Sequence, residues 1–282
     1  AAPFIICNAE QLYDLGQNGC GDSGSTDCDK VFVLGADIDF KSELMTSSNR
    51  ISNSSNSFTG VFDGRNHTLQ NYKSDGTSSS RGFIGYSSGR IINLNLKNSQ
   101  MNYLTGSKSS FLVGEFEGGG IHNVKVSGDI TSASALGGLA GSTELSGDYT
   151  VVRSEVIGSL TTPEYTAGGI VGSGGGELKV FKTKSSVNIT TTSQSGGIVG
   201  NRAGLIKKSK STGSLIGTSN LGGVLGVSSD LDTAIYQVYS SMDVSGSSGR
   251  VSGVWASGTN IGKESTLEDS YSLYSIIDGS NT

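Results

Sequence analysis

A glycine-rich block of five residues recurs along most of this chain and limits what the chain can fold into. The clear copies read GGLAG, GGIVG, GGIVG and GGVLG and lie at Gly137–Gly141, Gly168–Gly172, Gly196–Gly200 and Gly222–Gly226. Degenerate copies lie at Gly82–Gly85, Phe111–Gly114 and Gly253–Ala256. The last positions of successive blocks are 29, 27, 31, 28, 26 and 30 residues apart. A near-constant period in this range predicts a repeat architecture.

The segment after each block carries a second pattern. Residues predicted to lie on one face are separated by three, two, two and two positions in turn. The frames begin at Ile91, Ile121, Val151, Leu178, Ile206, Ile235 and Leu267. The first is Ile91, Leu94, Leu96, Asn98, Gln100, the fourth is Leu178, Phe181, Thr183, Ser185, Val187, and the last ends at Tyr274 and Ile276. Alternation by two predicts a strand, and the step of three predicts a bend or bulge. Each repeat is therefore predicted to contain two short strands.

A repeat of this length cannot fold alone, because ordering its backbone costs more free energy than its few buried aliphatic side chains return. Stacking lets each repeat cover the apolar faces of its neighbours and hydrogen-bond its strands to the next repeat. Equivalent strands then run parallel, so the sequence predicts an all-β parallel β-solenoid of about eight turns. The 43 glycines are predicted to supply positive φ or close backbone approach at its corners.

The repeats belong to a longer pattern. After one block come Gly204, Ile206, Ser209, Gly213 and Leu215. Upstream stand VFVLGADIDF, FTGVFDGRNHTL and GFIGYSSGRIINLNL at Val31–Phe40, Phe58–Leu69 and Gly82–Leu96. Together these motifs resemble the GLUG repeat of microbial surface proteins over nearly the whole chain. The resemblance implies a right-handed parallel β-helix (β-solenoid) in secreted or surface-anchored proteins, including adhesins and the non-catalytic stalk of IgA-specific metalloproteases, and no shared active site.

The N-terminal part of the chain differs from the repeats. Ala9–Gln17 carries Leu12 and Leu15 at helical spacing, which predicts one short N-terminal capping helix over the open end of the solenoid. Lys41–Ser57 is rich in Ser and Asn and is predicted to be an exposed loop. Residues 1–57 are therefore expected to form a cap, the first strands and a polar loop, and residues 58–282 the repeats, in one continuous domain.

Charge and hydropathy argue against several classes of protein. The formal net charge is −5, so the basic face that nucleic-acid binding requires is not expected. No apolar run approaches the roughly 18 residues of a membrane span. The N-terminus lacks a basic residue followed by an apolar core, so a signal peptide is expected to be absent or removed, and Ala1 resembles a mature end. A composition with 16% charged residues favours a secreted or cell-surface β protein.

The three cysteines lie near the N-terminus. Cys20 and Cys28 are eight residues apart in a polar loop, and in a secreted protein a disulfide between them is favoured, worth about 2 to 3 kcal/mol. Zinc binding is the alternative, but the spacing fits no zinc motif. Cys7 is expected to be a buried apolar residue, with a bond to one of the other two left open.

Hydroxyl side chains recur at predicted inward positions, and these are Ser154, Thr183, Ser209, Ser211, Ser240, Ser270 and Ser272. A nucleophile needs a base within hydrogen-bond reach, and the chain has only His67 and His122, both expected in turns or at the surface. A ladder of hydroxyls that satisfies backbone groups at a tight corner is therefore the favoured interpretation.

Three aspartates are candidate calcium ligands, because calcium takes several oxygen atoms. They are Asp37, Asp39 and Asp63. Capping of turns is favoured, because Asp-Gly is itself a turn signal. No metal or other cofactor is expected.

The outward positions predict a basic surface feature. The column four residues after each frame start reads Asn95, Lys125, Glu155, Lys182, Lys210, Tyr239, Tyr271. Lys179 is predicted to stack on Lys207. Lys182 is predicted to stack on Lys210, with Lys184 close by. Such a stripe beside the two tyrosines suits an anionic glycan or a partner's acidic surface, and the alternative is a solvated face whose lysines discourage strand pairing.

Two further features concern modification and assembly. Asn53, Asn66 and Asn188 each begin an Asn-x-Ser/Thr sequon, which matters only in a source that glycosylates proteins. Trp255 is the only tryptophan and stands in the degenerate final block. An exposed tryptophan at a solenoid end would anchor a partner, so Trp255 is predicted to lie at an assembly interface, unless the chain is a fragment of a longer surface protein.

These features predict an extracellular structural or adhesive module that presents a rigid face to a glycan or protein at the cell surface. Self-association end to end into a filament is a further expectation. The alternative is a carbohydrate-active enzyme, a lyase or glycoside hydrolase, on a parallel β-helix. No acid–base pair can be identified, so the chain is expected not to be an enzyme.

Overall fold

The computed structural model is a parallel β-helix. It describes residues 2–22, 24–41, 44–45, 50–75, 79–103, 105–144, 146–175, 177–229, 233–259, 266–273 and 276–278. Equivalent strands pair in parallel and stack into a solenoid of about eight turns, which we call rungs. The predicted all-β solenoid is confirmed.

The described strands form four sheets, named A to D in order around a rung. Sheet A contains Phe4–Ile6, Val31–Leu34, Val61–Asp63, Arg90–Ile92, Gly119–His122, Asp148–Val152, Glu177–Phe181, Leu205–Lys207, Ala234–Tyr236 and Thr266–Glu268. Sheet B contains Ile38–Asp39, Leu44–Met45, Thr68–Gln70, Lys73–Asp75, Asn95–Tyr103, Lys125–Ser132, Glu155–Thr162, Lys184–Thr191, Lys210–Gly217, Tyr239–Gly246, Tyr271–Ser272 and Ile276–Asp278.

Sheets C and D are built from shorter strands. Sheet C contains Ser80–Arg81, Lys108–Ser110, Ala135–Gly137, Ala167–Gly168, Ser195–Gly196, Leu221–Gly222 and Val251–Ser252. Sheet D contains Ile84–Ser87, Val113–Phe116, Ala140–Thr143, Val171–Ser173, Val199–Asn201, Leu225–Ser229 and Trp255–Thr259. A full rung therefore has four strands. The prediction of two is wrong because both predicted strands are divided, the glycine block by a sharp bend between sheets C and D and the longer strand between sheets A and B. The bend turns one aliphatic residue inward, and Leu139, Ile170 and Ile198 are fully buried there.

Glycine is needed in the block because neighbouring backbones touch there. A Cβ on Gly169 would overlap the carbonyl oxygen of Gly197 in the next rung and the Oγ of Ser185 in the interior. A Cβ on Gly172 would lie 2.6 Å from the carbonyl oxygen of Gly141. Gly169 and Gly172 are not among the residues with positive φ. Close backbone approach, rather than positive φ, therefore explains why glycine recurs at these positions.

The step of three in the second pattern is a corner between sheets A and B. One non-glycine residue per rung has φ between 48° and 56° at this corner, and these residues are Asn93, Asn123, Arg153, Lys182, Lys208, Gln237 and Asp269. The next residue points inward. Ser209 Oγ, for example, donates to Lys207 O at 3.0 Å and accepts from Thr183 N at 3.2 Å, and Ser154 makes the equivalent bonds in another rung. The predicted bend is confirmed. The predicted hydroxyl ladder is confirmed at this corner for Ser154, Ser209 and Ser270, whereas Ser211 and Ser240 donate to the carbonyl oxygen of Gly223 in a glycine block.

The strand register corrects the fourth frame. Its inward residues are Val180, Thr183, Ser185, Val187 and Ile189. Val180 pairs with Val151, and Leu178 pairs with Tyr149. The predicted start at Leu178 is therefore two residues too early. The error arose because Leu178 is also buried, in a sheet A strand that extends further back than its neighbour in the next rung.

The first frame is also corrected. A register shift between Leu96 and Ser99 accommodates one extra residue, and Asn98 has a φ of 54° there. The inward positions after this bulge are Ser99 and Met101, not Asn98 and Gln100. Tyr274 of the last frame lies outside the described residues.

The N-terminal end of the core is covered by the helix Ala9–Gln17. Asn8 caps this helix, because its Oδ1 accepts the backbone N–H of Gln11 at 2.9 Å. Leu12 and Leu15 are buried in the hydrophobic core. The predicted capping helix is confirmed, and a short 3-10 helix, Asp27–Asp29, follows it.

The cysteines form one disulfide, Cys20–Cys28, as predicted. Cys7 is a free and exposed thiol, so its expected burial is wrong. The preceding residue, Ile6, points into the core, and the alternation of side chains along an extended chain turns Cys7 outward.

The predicted exposed loop is partly buried. Ile51 and Ser52 are each 1% exposed. Asn53 Nδ2 donates to Gly21 O at 2.7 Å, and the Asn56 side chain donates to two further carbonyl groups of the disulfide loop. Residues 50–57 therefore pack against the N-terminal cap. Residues 42–43 and 46–49 lie outside the described part of the chain.

Gly169→Ala is expected to lower the free energy of unfolding by about 3 kcal/mol, because the new methyl group meets backbone that cannot move away. Gly24→Ala is the control, since the nearest atom to its Cβ lies 3.9 Å away, and it is expected to change stability by less than about 0.5 kcal/mol. Urea unfolding measures both. Equal stabilities of the two variants would contradict the close-approach explanation.

Removal of the disulfide by Cys20→Ser with Cys28→Ser is expected to cost about 2.5 kcal/mol of unfolding free energy, from loop-closure entropy. Thermal unfolding of the oxidised protein and of this variant measures the difference. Cys7→Ser is the matched control and is expected to leave the midpoint unchanged, because this thiol is free and exposed. If the variant without the disulfide were as stable as the parent protein, the disulfide would not contribute to the stability of the fold.

Candidate functional site

A column of polar side chains is formed by the first residues of successive strands of sheet B. The pairing of successive strands places in it Asn95, Lys125, Glu155, Lys184, Lys210, Tyr239 and Tyr271. The predicted column had Lys182 in place of Lys184. That position is wrong by two residues, because the fourth frame was set two residues too early.

Lys182 lies instead at the corner between sheets A and B. It has a φ of 55°, and Arg153 and Lys208 hold the same position in the adjacent rungs. All three side chains are exposed. Sequence analysis missed Arg153 and Lys208, although a correct count from the inward hydroxyls, each of which follows a corner residue, would have found both.

We call the resulting cluster the basic corner, and it consists of Arg153, Lys182, Lys184, Lys207, Lys208 and Lys210. These residues lie on three successive rungs and account for six of the 20 Lys and Arg residues in a chain of net charge −5. Within the described residues, none of the five lysines forms an ion pair with a carboxylate. The cluster is therefore a local concentration of positive charge on an acidic protein, with five exposed cations and a half-buried Lys207.

Lys179 does not belong to this cluster. It pairs with Leu205 rather than Lys207, which corrects the predicted stacking. Its Nζ lies 3.0 Å from Asp148 Oδ1 and 3.1 Å from Glu177 Oε2. The hydrogen bond that Lys179 donates to Asp148, followed by the one that it donates to Glu177, raises the pKa of Lys179. Its charge is thus locally compensated.

Aromatic rings flank the basic corner on both sides. On sheet B, Lys210 Nζ lies 5.0 Å from the centre of the Tyr239 ring, which lies 5.2 Å from that of Tyr271. On sheet A, Lys207 Nζ lies 5.8 Å from the centre of the Tyr236 ring. Both lysine-to-ring distances are within the range of cation–π attraction. Tyr271 is 59% exposed and offers a free ring face to a ligand.

A groove with a volume of about 260 Å³ lies on sheet B beside the same column. Its lining includes Thr68, Lys97, Lys125, Ser127, Glu155 and Ile157. The residue that follows each of Lys97, Ser127 and Ile157 has positive φ, and these residues are Asn98, Gly128 and Gly158. Each strand bends there, and the groove lies before the bend.

Two of the three aspartates considered as calcium ligands, Asp39 and Asp63, cap turns. Asp63 Oδ1 accepts Arg65 N at 2.9 Å, and Asp39 Oδ1 accepts Lys41 N at 2.8 Å. Asp37 accepts Thr68 N at 2.8 Å, which, with a smaller contribution from His67, lowers its pKa. The predicted capping is confirmed for Asp39 and Asp63, whereas Asp37 accepts from a residue of the next rung. No cluster of three potential metal ligands is found in the described part of the chain.

His122 lies half-buried on sheet A, next to the position of Arg153 at the corner. Burial, followed by the positive charges of Arg90 and Arg153, lowers the pKa of His122 from its ordinary value of 6.5. Burial and the two arginines therefore favour the neutral form of the imidazole beside the basic corner.

The predicted modification and assembly residues have different surroundings. Asn66 and Asn188 are exposed, whereas the amide nitrogen of Asn53 is engaged with Gly21 O. Trp255 takes the place of Leu225 one rung on and packs, partly buried, against the core. Its role in assembly stays a prediction. None of the helices formed by described residues is long and apolar enough to cross a membrane.

No protein-family model matches the chain. Among known proteins it is similar to Halomucin from Haloquadratum walsbyi, with 32% identity over 136 residues that cover 44% of this chain and 2% of Halomucin. Among solved structures it is similar to a candidate immunoglobulin A1 protease from Bacteroides ovatus, with a TM-score of 0.70 and 20% identity over 92% of this chain and 84% of that one. It is also similar to an IgA1 protease, with a TM-score of 0.60 and 15% identity over 96% of this chain and 21% of that one.

These comparisons contradict the expectation that the chain is not an enzyme. Both structural neighbours bear the name of an enzyme, so the lack of a recognisable acid–base pair in the repeats cannot exclude one. At 20% and 15% identity the likeness shows the β-helix fold alone. The resemblance to GLUG repeats stays a resemblance, because no family model matches.

Replacing His122 with Gln is expected to flatten the dependence of stability on pH. Because the pKa of His122 is lowered in the folded state, the unfolded chain binds the proton more readily, and the unfolding free energy falls as the pH drops through the ordinary value. Urea unfolding at about pH 7 and about pH 5 measures this loss. The parent protein should lose more stability than His122→Gln, and equal losses would contradict the assignment.

Proposed function

We propose that this chain is an extracellular β-helix module that binds an anionic glycan through its basic corner. The observation that carries the proposal is the alignment of exposed cations on three successive rungs, next to the edge-to-face rings of Tyr239 and Tyr271. Lysines attract carboxylate or sulfate groups, and an exposed aromatic ring offers an apolar face to a sugar ring.

An extracellular location is supported by two observations. The Cys20–Cys28 disulfide is of a kind that persists in oxidising compartments. The similarity to Halomucin and the resemblance to GLUG repeats of microbial surface proteins favour the same location. We therefore propose that the module acts at or outside the cell surface, where glycans are available as partners.

The proposal concerns the β-helix and not a whole protein. The chain spans 2% of Halomucin and 21% of the IgA1 protease chain that it matches. A binding surface on a β-helix is compatible with an enzymatic activity of the protein that contains it. The test below therefore includes a readout for cleavage of the glycan.

Lys184→Gln with Lys210→Gln is expected to weaken glycan binding about tenfold, because each exposed charge contributes up to about 1 kcal/mol. Binding of alginate and heparin oligosaccharides, with neutral dextran as the comparison, is measured by isothermal titration calorimetry at two salt concentrations. Raising the salt should weaken binding of the parent protein, because screening shortens the range of exposed charges.

Lys179→Gln is the matched control, since Asp148 and Glu177 already compensate this lysine, and it should bind like the parent protein. Equal binding of dextran, or equally strong binding of single-stranded DNA, would contradict a glycan-specific site. Shortened oligosaccharides after incubation would identify the corner as part of a carbohydrate-active enzyme instead.

A further inference from the structure

The groove on sheet B is continuous with the basic corner. Lys125 and Glu155, which line the groove, belong to the same column as Lys184 and Lys210. Successive members of this column are one strand spacing apart, about 4.8 Å. A ligand that follows the column must therefore run along the axis of the β-helix, across the strands rather than along them.

The groove has the chemistry of a subsite for sugar rings. Ile157 is 48% exposed and, together with the aliphatic stem of Lys97, offers apolar surface to the carbon-bound hydrogens of a ring. The hydroxyl groups of Thr68 and Ser127, which line the groove, can exchange hydrogen bonds with sugar hydroxyls. The Glu155 carboxylate can accept a hydrogen bond from a sugar hydroxyl, and its negative charge repels an acidic group placed directly above it.

We infer that this groove holds the uncharged ring faces of a linear anionic polysaccharide, which runs along the helix axis and places its acidic groups on the basic corner. The inference rests on the proposed function and adds two points to it. The ligand is a chain of several sugars rather than a single anionic sugar, and its direction is fixed by the column of sheet B.

The discriminating variant is Ile157→Trp, which fills the groove from an exposed position and leaves every lysine of the basic corner in place. Ile216→Trp is the matched control, because Ile216 is also an exposed isoleucine of sheet B, 53% exposed, but pairs with Thr190 beyond the groove. Urea unfolding of both variants establishes that each is folded.

Binding of alginate disaccharide, tetrasaccharide and octasaccharide is measured for the parent protein, both tryptophan variants and Lys184→Gln with Lys210→Gln. Ile157→Trp is expected to weaken octasaccharide binding about tenfold, because the indole ring occupies the space of one sugar ring, and losing the contacts of that ring costs about 1 to 3 kcal/mol. It should leave disaccharide binding unchanged. Ile216→Trp should bind all three like the parent protein.

The outcomes separate the two proposals. One outcome is that the parent protein and Ile157→Trp bind the octasaccharide equally well, whereas Lys184→Gln with Lys210→Gln binds it weakly. The groove assignment is then wrong and the proposed function stands. If affinity does not rise with oligosaccharide length, the axial arrangement is wrong. If the parent protein binds none of the glycans, or binds an acidic peptide as strongly as the octasaccharide, the proposed function fails and the groove assignment fails with it.

Discussion

The close contact between backbones inside the glycine blocks is the constraint on which the other elements depend. A side chain at Gly169 or Gly172 would occupy space filled by carbonyl oxygens of adjacent strands. Because these positions carry no side chain, the backbone can turn sharply between sheets C and D. The turn brings each chain segment back to sheet A after one circuit, so that every rung can hydrogen-bond to the next along its length.

The corner between sheets A and B is the second determinant, and it acts through backbone conformation. One residue per rung is held at positive φ there, a conformation that costs free energy for a non-glycine residue. The inward hydroxyls of Ser154 and Ser209 offset part of this cost by hydrogen-bonding to the backbone on both sides. The side chain of the corner residue points to solvent, so a charged residue is accommodated there without burial of its charge, as at Lys182 and Lys208.

A solenoid turns a one-dimensional repeat into a surface with a fixed spacing. The same position in successive rungs recurs about every 4.8 Å along the axis, so three rungs that carry lysine or arginine make an extended row of charge. Such a row matches a polymer better than a small molecule. This geometric reason, rather than the likeness to proteins named as proteases, supports the proposed glycan partner, since that likeness shows the fold alone.

Sequence alone predicted the solenoid, its period, the capping helix and the Cys20–Cys28 bond, because glycine spacing, alternation and cysteine spacing are local and repeat along the chain. It did not predict four strands per rung, because the bend inside a glycine block depends on backbone contacts with the next rung. It also misplaced Lys182, since two buried residues in one strand, Leu178 and Val180, fit the pattern equally well. It omitted Lys208 because this residue lies at the corner before Ser209 and not in the column four residues after a frame start. Only the pairing of Val180 with Val151 decided between them, because register is set by hydrogen bonds between rungs that no single repeat contains.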